Sequence, residues 1–231
     1  MPTPSPPPPV SNDPGLLPER IASFMRSRLH LGPFADIVAF ELALLVFALL
    51  GWAMRARSDA RSFTIHRESG WSGIELGLGL VVVVEALPIH LMLSAHRPVL
   101  AWMLTALSAY SLLWLIGDAQ ALRLRPLLID DDALLVRVGL RSSARIPWYS
   151  IASVSLVTGE APPRRARGYL RATAFGDPTV LIELNEAVAA VGIYGIRRNV
   201  TRVGVAPDDR ARFVETVSER VRSAGGTTVR S

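Results

Sequence analysis

Three long apolar segments dominate the first half of the chain. They run from Phe34 to Met54, from Gly73 to Leu93 and from Pro98 to Gly117. Each contains about 20 residues, and a helix of that length at roughly 1.5 Å per residue crosses a hydrocarbon core about 30 Å thick. The pattern predicts three transmembrane helices, over residues 34–54, 73–93 and 98–117, in a membrane domain of residues 34–117.

Polar or proline-rich segments flank this domain. Residues 1–18 are rich in proline and have no apolar periodicity, so we expect them to be disordered, as we do residues 224–231. In residues 19–33 the arginines lie away from an apolar helical stripe formed by Ile21, Phe24, Met25 and Leu29. This arrangement predicts a short amphipathic helix lying in the membrane interface.

The second half of the chain alternates short apolar stretches with turn residues, which is typical of β-strands. Seven strands are predicted, at residues 127–129, 134–138, 144–148, 150–157, 180–184, 193–196 and 200–205. Apolar residues then recur every four positions at Phe213, Val217 and Val221, behind Asp208 and Asp209, which predicts a C-terminal helix. The predicted fold class is therefore an α + β membrane protein: three transmembrane helices, then a seven-stranded β-barrel capped by a C-terminal α-helix.

Three runs of this half carry a family resemblance. They are LLIDDDALLVRVGL from Leu127, RIPWYSIASV from Arg145, and VTRVGVAPDDRARFVETVSERV from Val200. Their acidic first turn, IPW step and final amphipathic helix resemble the bacterial pleckstrin-homology-like (PH-like) domain that follows membrane spans in many bacterial proteins. The resemblance covers residues 124–223 and implies a barrel fold in a membrane-anchored adaptor or sensor, with no catalytic residues.

Composition narrows the choice of function. All 25 basic residues are arginine and cysteine is absent, which excludes disulfides, thiolate metal sites and cysteine nucleophiles. The arginine usage, with abundant alanine, valine, glycine and proline, indicates a GC-rich bacterial genome. The arginines lie beside membrane ends and in loops and form no compact basic face with aromatic residues, so no nucleic-acid partner is expected. No motif for hydrolysis, phosphate binding or dinucleotide binding occurs, so we expect no enzyme, no cofactor and no metal site.

The arginines also predict an orientation. The loop between the first two apolar segments holds four of them, whereas the loop between the second and third holds only Arg97. Because cytoplasmic loops are enriched in basic residues, this loop and the C-terminal domain are expected in the cytoplasm. Because three spans separate the two ends of the chain, the N-terminus is expected outside. The protein is thus predicted to be a multi-pass protein of the bacterial inner (plasma) membrane.

Polar residues within the apolar segments form the first candidate site. Glu41, Glu85 and Thr105 are predicted at similar depths, Ser108 follows Thr105 at i+3, and His90 lies nearer the outer surface. One interpretation is an intramembrane proton or metal-ion carrier that uses Glu41, Glu85 and His90. The alternative is that Glu85 forms a hydrogen bond between helices while His90 reaches the interface.

A second candidate site is the loop of residues 161–171. Its arginines could contact anionic lipid headgroups. The alternative is that the loop is simply solvated. The arginines are Arg164, Arg165, Arg167 and Arg171. The function predicted first is an adaptor, scaffold or sensor whose cytoplasmic PH-like domain meets a protein partner or the membrane surface. The expected partners are the lipid bilayer and an unidentified protein, with a homo-oligomer left open.

Overall fold

The computed structural model describes residues 16–28, 34–54, 61–65, 70–163 and 166–224, and the statements below refer to these residues. The tails predicted to be disordered fall almost entirely outside them. The described helices are α1 (Leu17–Arg28), α2 (Phe34–Leu50), α3 (Trp71–Ser94), α4 (Pro98–Leu124) and α5 (Arg210–Ser223). The described strands are β1 (Ser62–Phe63), β2 (Leu127–Ile129), β3 (Ala133–Val138), β4 (Ser142–Pro147), β5 (Ile151–Leu156), β6 (Tyr169–Ala172), β7 (Val180–Gly192) and β8 (Arg197–Val205).

Helices α3 and α4 form an antiparallel apolar hairpin. They contain 24 and 27 residues, and both are long and apolar enough to cross a membrane. The most apolar 18-residue windows of the two helices are 0% and 6% buried inside the protein. Pro98 opens α4 at the hairpin turn, a position where the missing N–H of proline costs no helical hydrogen bond. The hairpin therefore presents most of its apolar side chains outward.

The prediction of a third such helix is wrong. Helix α2 has 17 residues and buries one face of small and aromatic side chains, which includes Ala39, Ala43 and Phe47. It packs along α4 and against the sheet domain, where the ring of Phe40 lies 4.8 Å from that of Tyr194. Small side chains allow this close approach, so protein covers a face that apolar composition alone assigned to lipid.

Helix α1 packs on α2 and the start of the sheet domain. Ala22 is buried, and Glu19 forms an ion pair with the buried Arg125, which follows α4. The amphipathic segment predicted to lie in the membrane interface is helical here, over Leu17–Arg28, with its apolar stripe turned partly toward α2.

The eight strands form one mixed sheet in the order β1-β2-β3-β4-β7-β8-β6, with β5 paired to β7 beside this path. All neighbours are antiparallel except β6 and β8. The long strand β7 pairs with β5 through residues 180–184 and with β4 through residues 190–192, and its register shifts between Glu183 and Val188. One strand thus serves two neighbours on the same edge, which bends the sheet.

The predicted closed seven-stranded barrel is therefore wrong: the sheet is mostly open, because its end strands β1 and β6 are not paired with each other. Helices contribute to its buried core. Leu122 at the end of α4 belongs to the same buried core as the strands. So do three residues of α5, which are Phe213, Val217 and Val221. The C-terminal helix is confirmed, and the Asp209 side chain caps it by accepting from the Arg212 N–H at 3.1 Å.

The sheet domain also recruits residues that precede the hairpin. Ser62 and Phe63 pair with Leu128 and Leu127, and Phe63 and Ile65 are buried in the core. The N–H of Asp208 donates to the carbonyl of Thr64 at 2.9 Å. The sheet domain is consequently wider than residues 124–223, since the chain enters it once before the apolar hairpin and again after it.

Two local predictions are also wrong. The strand expected at residues 193–196 is a 3-10 turn at Ile193–Gly195, where Gly195 has φ +76° and Tyr194 has φ +56°. Left-handed backbone of this kind interrupts strand pairing. Conversely, the end of the segment predicted as an arginine-rich loop is strand β6.

Candidate functional site

Charged residues are buried where the hairpin meets the sheet domain. Glu75 in the second turn of α3 and Asp118 in the last third of α4 are 7% and 2% exposed, and Gln120 is 5% exposed. Because α3 and α4 are antiparallel, these residues lie at the same end of the hairpin. Buried acids require compensation by a cation or by hydrogen bonds.

The turn between β3 and β4 supplies that cation. Gly139 has φ +49°, which favours glycine, and a Cβ at this position would lie 3.3 Å from the side chain of Leu122 on α4. The N–H of Arg141 donates to the carbonyl of Val138 at 2.9 Å and closes the turn. The turn is thus packed directly on α4, and Arg141 reaches Asp118.

Arg141 and Asp118 form a bidentate ion pair. Nε of Arg141 donates to Oδ1 of Asp118 at 3.3 Å, and Nη2 donates to Oδ2. Nη1 donates to the carbonyl of Ala174 at 3.2 Å, so the guanidinium also holds the loop after β6. Bidentate geometry of this kind gives a strong and directional charge-assisted contact.

Aromatic rings cover the pair on one side. The guanidinium of Arg141 lies 4.5 Å from the ring centroid of Trp71, the first residue of α3. The Trp71 ring stacks on Phe175 with centroids 5.7 Å apart. This cation–π arrangement shields the ion pair from solvent and binds the start of α3 to the sheet domain.

Glu75 gives the site a second carboxyl. It lies close enough to Asp118, Trp71 and Arg141 for each of them to influence its ionisation. Its Oε1 atom is buried and has no hydrogen-bond partner within the described ranges. Two acids therefore share one arginine, and the junction keeps an unused acceptor.

An apolar groove starts at this junction and runs up the hairpin. It has a volume of about 450 Å³, and Trp52, Ser72, Glu75 and Gln120 line its end near the sheet domain. The rest of the lining comes from both helices: Leu76, Gly79, Leu80, Val83, Leu112, Leu115, Ile116 and Ala119. Oε1 of Gln120 is a second buried oxygen without a hydrogen-bond partner among the described residues.

Of the polar residues predicted inside the apolar segments, Glu41 has a partner on α4. The hydroxyl of Tyr110 donates to Oε2 of Glu41 at 2.7 Å. Tyr110 was not predicted as a partner, because the sequence alone did not give the packing of α2 on α4. This hydrogen bond joins α2 to α4 within the apolar part of the hairpin.

His90 and Thr105 are brought together across the hairpin. Nδ1 of His90 lies 2.7 Å from Oγ1 of Thr105, and that hydroxyl donates to the carbonyl of Ala101 at 2.9 Å. The two side chains thus form a hydrogen bond that joins α3 to α4. The ring of Trp102 packs edge-on against His90, with centroids 5.0 Å apart.

The remaining residues of that predicted cluster lie apart. Glu85 is exposed on the outer surface of α3, and no hydrogen bond joins it to Glu41 or His90 in the described structure. Ser108 is half-buried. No group of three His, Asp or Glu side chains among the described residues could hold a metal ion.

The arginines proposed to contact headgroups are also dispersed. Arg164 and Arg165 lie outside the described residues, and Arg167 is exposed. Arg171 is on β6, is mostly buried, and forms an ion pair with Asp177 at 2.8 Å. Its guanidinium also donates to the carbonyl of Gly176, so Arg171 holds the turn of residues 173–177.

Sequence reasoning did not place Glu75, Asp118 or Arg141 in a candidate site. A signal for the two acids was present, since Glu75 lies 21 residues before His96 and Asp118 lies 22 residues after it. An antiparallel hairpin turning near His96 places such residues at the same level. Arg141 carries no comparable signal, because its place depends on how the β3–β4 turn packs on α4.

The role of the junction has to be inferred from its own chemistry. It has a strong ion pair, an unused carboxylate oxygen and an apolar groove, which are features of a structural joint and of a ligand site. It has no nucleophile activated by a neighbouring base among the described residues. The chain matches no family model, no curated protein and no solved structure.

Proposed function

We propose that this chain is an integral protein of the bacterial inner membrane that holds its sheet domain against the cytoplasmic surface as an adaptor for a protein partner. The observation that supports this proposal is the outward-facing apolar hairpin whose last turns enter the core of the sheet domain. An anchor that is continuous with an interaction domain gives that domain a fixed place and orientation.

The bilayer is the environment that suits the hairpin. Large apolar side chains are exposed along both helices, and an apolar surface of this extent is not tolerated in water by a monomeric protein. Each helix satisfies its own backbone hydrogen bonds, as a lipid environment requires, apart from the Val84 carbonyl, for which Pro88 has no N–H to donate. Lipid around α3 and α4 accounts for both properties.

The sheet domain is coupled to this anchor. Leu122 of α4 contributes to the sheet core, Arg141 of the sheet pairs with Asp118 of α4, and Trp71 of α3 packs against the same core. A movement of the domain relative to the hairpin would break these contacts together. We therefore propose an adaptor with a set geometry, not a domain on a flexible tether.

Two spans change the proposed topology. A hairpin returns the chain to the side from which it entered, so α1, α2 and the sheet domain share one side. The ion pair of Glu19 with Arg125 supports this arrangement. The four arginines between α2 and α3 favour the cytoplasm for that side. This topology replaces the expectation that the N-terminus lies outside.

The open sheet offers the partner a place to bind. Strand β5 pairs only with β7 among the described strands, and helix α5 packs against it. Its second edge has no strand partner in this part of the chain, so an extended peptide segment can pair there. Tyr149, two residues before this strand, and Leu156, its last residue, are 68% and 46% exposed. We propose that the domain is PH-like with an opened sheet, and that a strand of the partner pairs with β5.

The carrier function is less well supported. Its three residues have separate surroundings: Glu41 accepts from Tyr110, His90 faces Thr105, and Glu85 is on the outer face of α3. A relay needs hydrogen-bonded neighbours along the path of the proton. We propose a structural role for the two hydrogen-bonded pairs.

The membrane anchor is tested by alkaline carbonate extraction of bacterial membranes that contain the full chain. The chain is expected to remain in the membrane pellet, because lipid-embedded helices resist the treatment that strips peripheral proteins. Release of most of the chain into the supernatant would contradict the anchor and, with it, the proposed function.

The adaptor role is tested by capturing partners of the tagged full chain from detergent-solubilised membranes. The double variant Tyr149→Ser, Leu156→Arg is expected to lose the captured partner at least about tenfold, because it removes apolar contacts beside the β5 edge. Both residues are exposed, so the melting temperature should hardly change.

The matched control for this experiment is Asn199→Arg, an exposed substitution on β8. It adds the same charge to the same domain away from the β5 edge, and partner capture should persist. Equal capture by the double variant and the unaltered chain would contradict binding at β5.

A further inference from the structure

The groove between α3 and α4 has an uneven chemistry. Its walls are apolar along the hairpin, while the end near the sheet domain carries Ser72, Glu75 and Gln120. Trp52 forms part of the rim at the same end. Its volume of about 450 Å³ falls within the roughly 300–1,000 Å³ of small-molecule sites. A molecule that fits has an apolar tail and a polar head.

The polar end specifies what the head must provide. Oε1 of Glu75 and Oε1 of Gln120 are buried acceptors without hydrogen-bond partners in the described part of the chain. Leaving a buried oxygen unsatisfied is costly, and more so for a charged group. The missing partners are hydrogen-bond donors, so a head that carries only acceptors would leave both oxygens unsatisfied.

Charge points to the same kind of head. Glu75 and Asp118 face one arginine at the junction, Arg141, and the guanidinium of Arg141 is already committed to Asp118, Ala174 and the ring of Trp71. Arg123, one turn beyond Gln120, donates to the carbonyls of Gly51 and Met54 and does not line the groove. The groove end therefore favours a cationic donor over an anion.

We infer that the groove binds a phospholipid of the cytoplasmic leaflet whose headgroup ends in a primary ammonium, with one acyl chain between α3 and α4. The ammonium donates to Oε1 of Glu75 and to Oε1 of Gln120, and the acyl chain lies against Leu80, Val83 and Leu112. This inference rests on the proposed function, because it requires that the hairpin lies in the bilayer.

The orientation of the groove agrees with a lipid of that leaflet. Its polar end adjoins the sheet domain, which the proposed topology places on the cytoplasmic side, and its apolar end points toward the membrane interior. A lipid there would sit beside the ion pair of Arg141 and Asp118. Occupancy of the groove would thereby stabilise the joint between hairpin and domain.

The experiment measures quenching of Trp52 fluorescence by lipids with brominated acyl chains. The full chain is reconstituted in phosphatidylcholine nanodiscs that contain a fixed fraction of brominated phosphatidylethanolamine, phosphatidylcholine or phosphatidylglycerol. The contribution of Trp52 is the difference between the unaltered chain and Trp52→Phe. The quaternary ammonium of phosphatidylcholine is cationic but has no N–H donor, so it separates charge from hydrogen bonding.

Phosphatidylethanolamine is expected to be preferred over both other lipids by about threefold or more, the ratio that a net hydrogen bond contributes. Glu75→Leu should abolish this preference, and Gln120→Leu should reduce it. The matched control Glu85→Leu makes the same change on the outer face of α3 and should leave the preference unaltered.

Three results would overturn the inference. Equal quenching by the three lipids would show ordinary solvation of the helices. Preference for phosphatidylglycerol, whose headgroup hydroxyls also donate hydrogen bonds, would show that the groove does not select an ammonium. Loss of preference in Glu85→Leu as well as in Glu75→Leu would assign the effect to α3 as a whole. Absence of quenching by every lipid would instead contradict the membrane location and the proposed function with it.

Discussion

Arg141→Met is expected to lower the free energy of unfolding by about 3 kcal/mol, because it leaves the buried carboxyls of Asp118 and Glu75 without their cation. For a chain of this length the melting temperature in detergent should fall by about 6–12 °C. Methionine retains much of the side-chain volume, so the loss reports on the charge and its hydrogen bonds.

Two further variants isolate the cause. The double variant Arg141→Met, Asp118→Leu also removes the principal partner of the arginine. At least half of the lost stability should therefore return. Arg145→Met serves as the control, since Arg145 lies 3.5 Å from Asp130 in an exposed pair. It should cost less than about 1 kcal/mol. Equal losses in Arg141→Met and Arg145→Met would contradict a structural role for the junction.

Gly117→Ala is expected to destabilise the protein by about 2 kcal/mol by separating α2 from α4. A Cβ at this position would lie 2.5 Å from the carbonyl oxygen of Leu44 and 2.9 Å from its side chain, so one helix must shift. Overpacking of this kind typically costs about 1–3 kcal/mol. Thermal unfolding of the purified chain in detergent measures the effect.

Gly77→Ala provides the comparison in the same hairpin. A Cβ at Gly77 meets nothing within 4 Å, and alanine favours the helix, so stability should be unchanged or slightly higher. If Gly77→Ala were as destabilising as Gly117→Ala, close packing of α2 on α4 would not be the cause.

The sequence predicted elements better than their arrangement. Alternation located β2, β3 and β5 closely, and Asp209 before a four-residue period located α5, because these signals are local. The assignment of α2 to lipid failed because apolar composition does not distinguish a bilayer from a protein neighbour. Strand β1 was missed because its two residues pair with Leu127 and Leu128 across the whole hairpin.

In the candidate site, too, the sequence predicted local features better than tertiary contacts. The level of Glu75 and Asp118 was readable from their distances to the hairpin turn. The proposed meeting of Glu41 and Glu85 relied on equal depth, but depth leaves rotation about the helix axis undetermined, and Glu85 lies on the outer face of α3. The contact of Arg141 with Asp118 depends on tertiary packing of a turn and could not be predicted.

The entry of the chain into the sheet both before and after the hairpin constrains the order of biosynthesis. Residues 61–65 leave the ribosome early, but their partners β2 and Asp208 emerge only after both apolar helices have been made. Leu122 in the last turns of the second apolar helix must also reach this core before it is complete. Completion of the sheet therefore waits until both apolar helices have been synthesised, so a chain that stopped before them would expose an unfinished sheet to proteolysis.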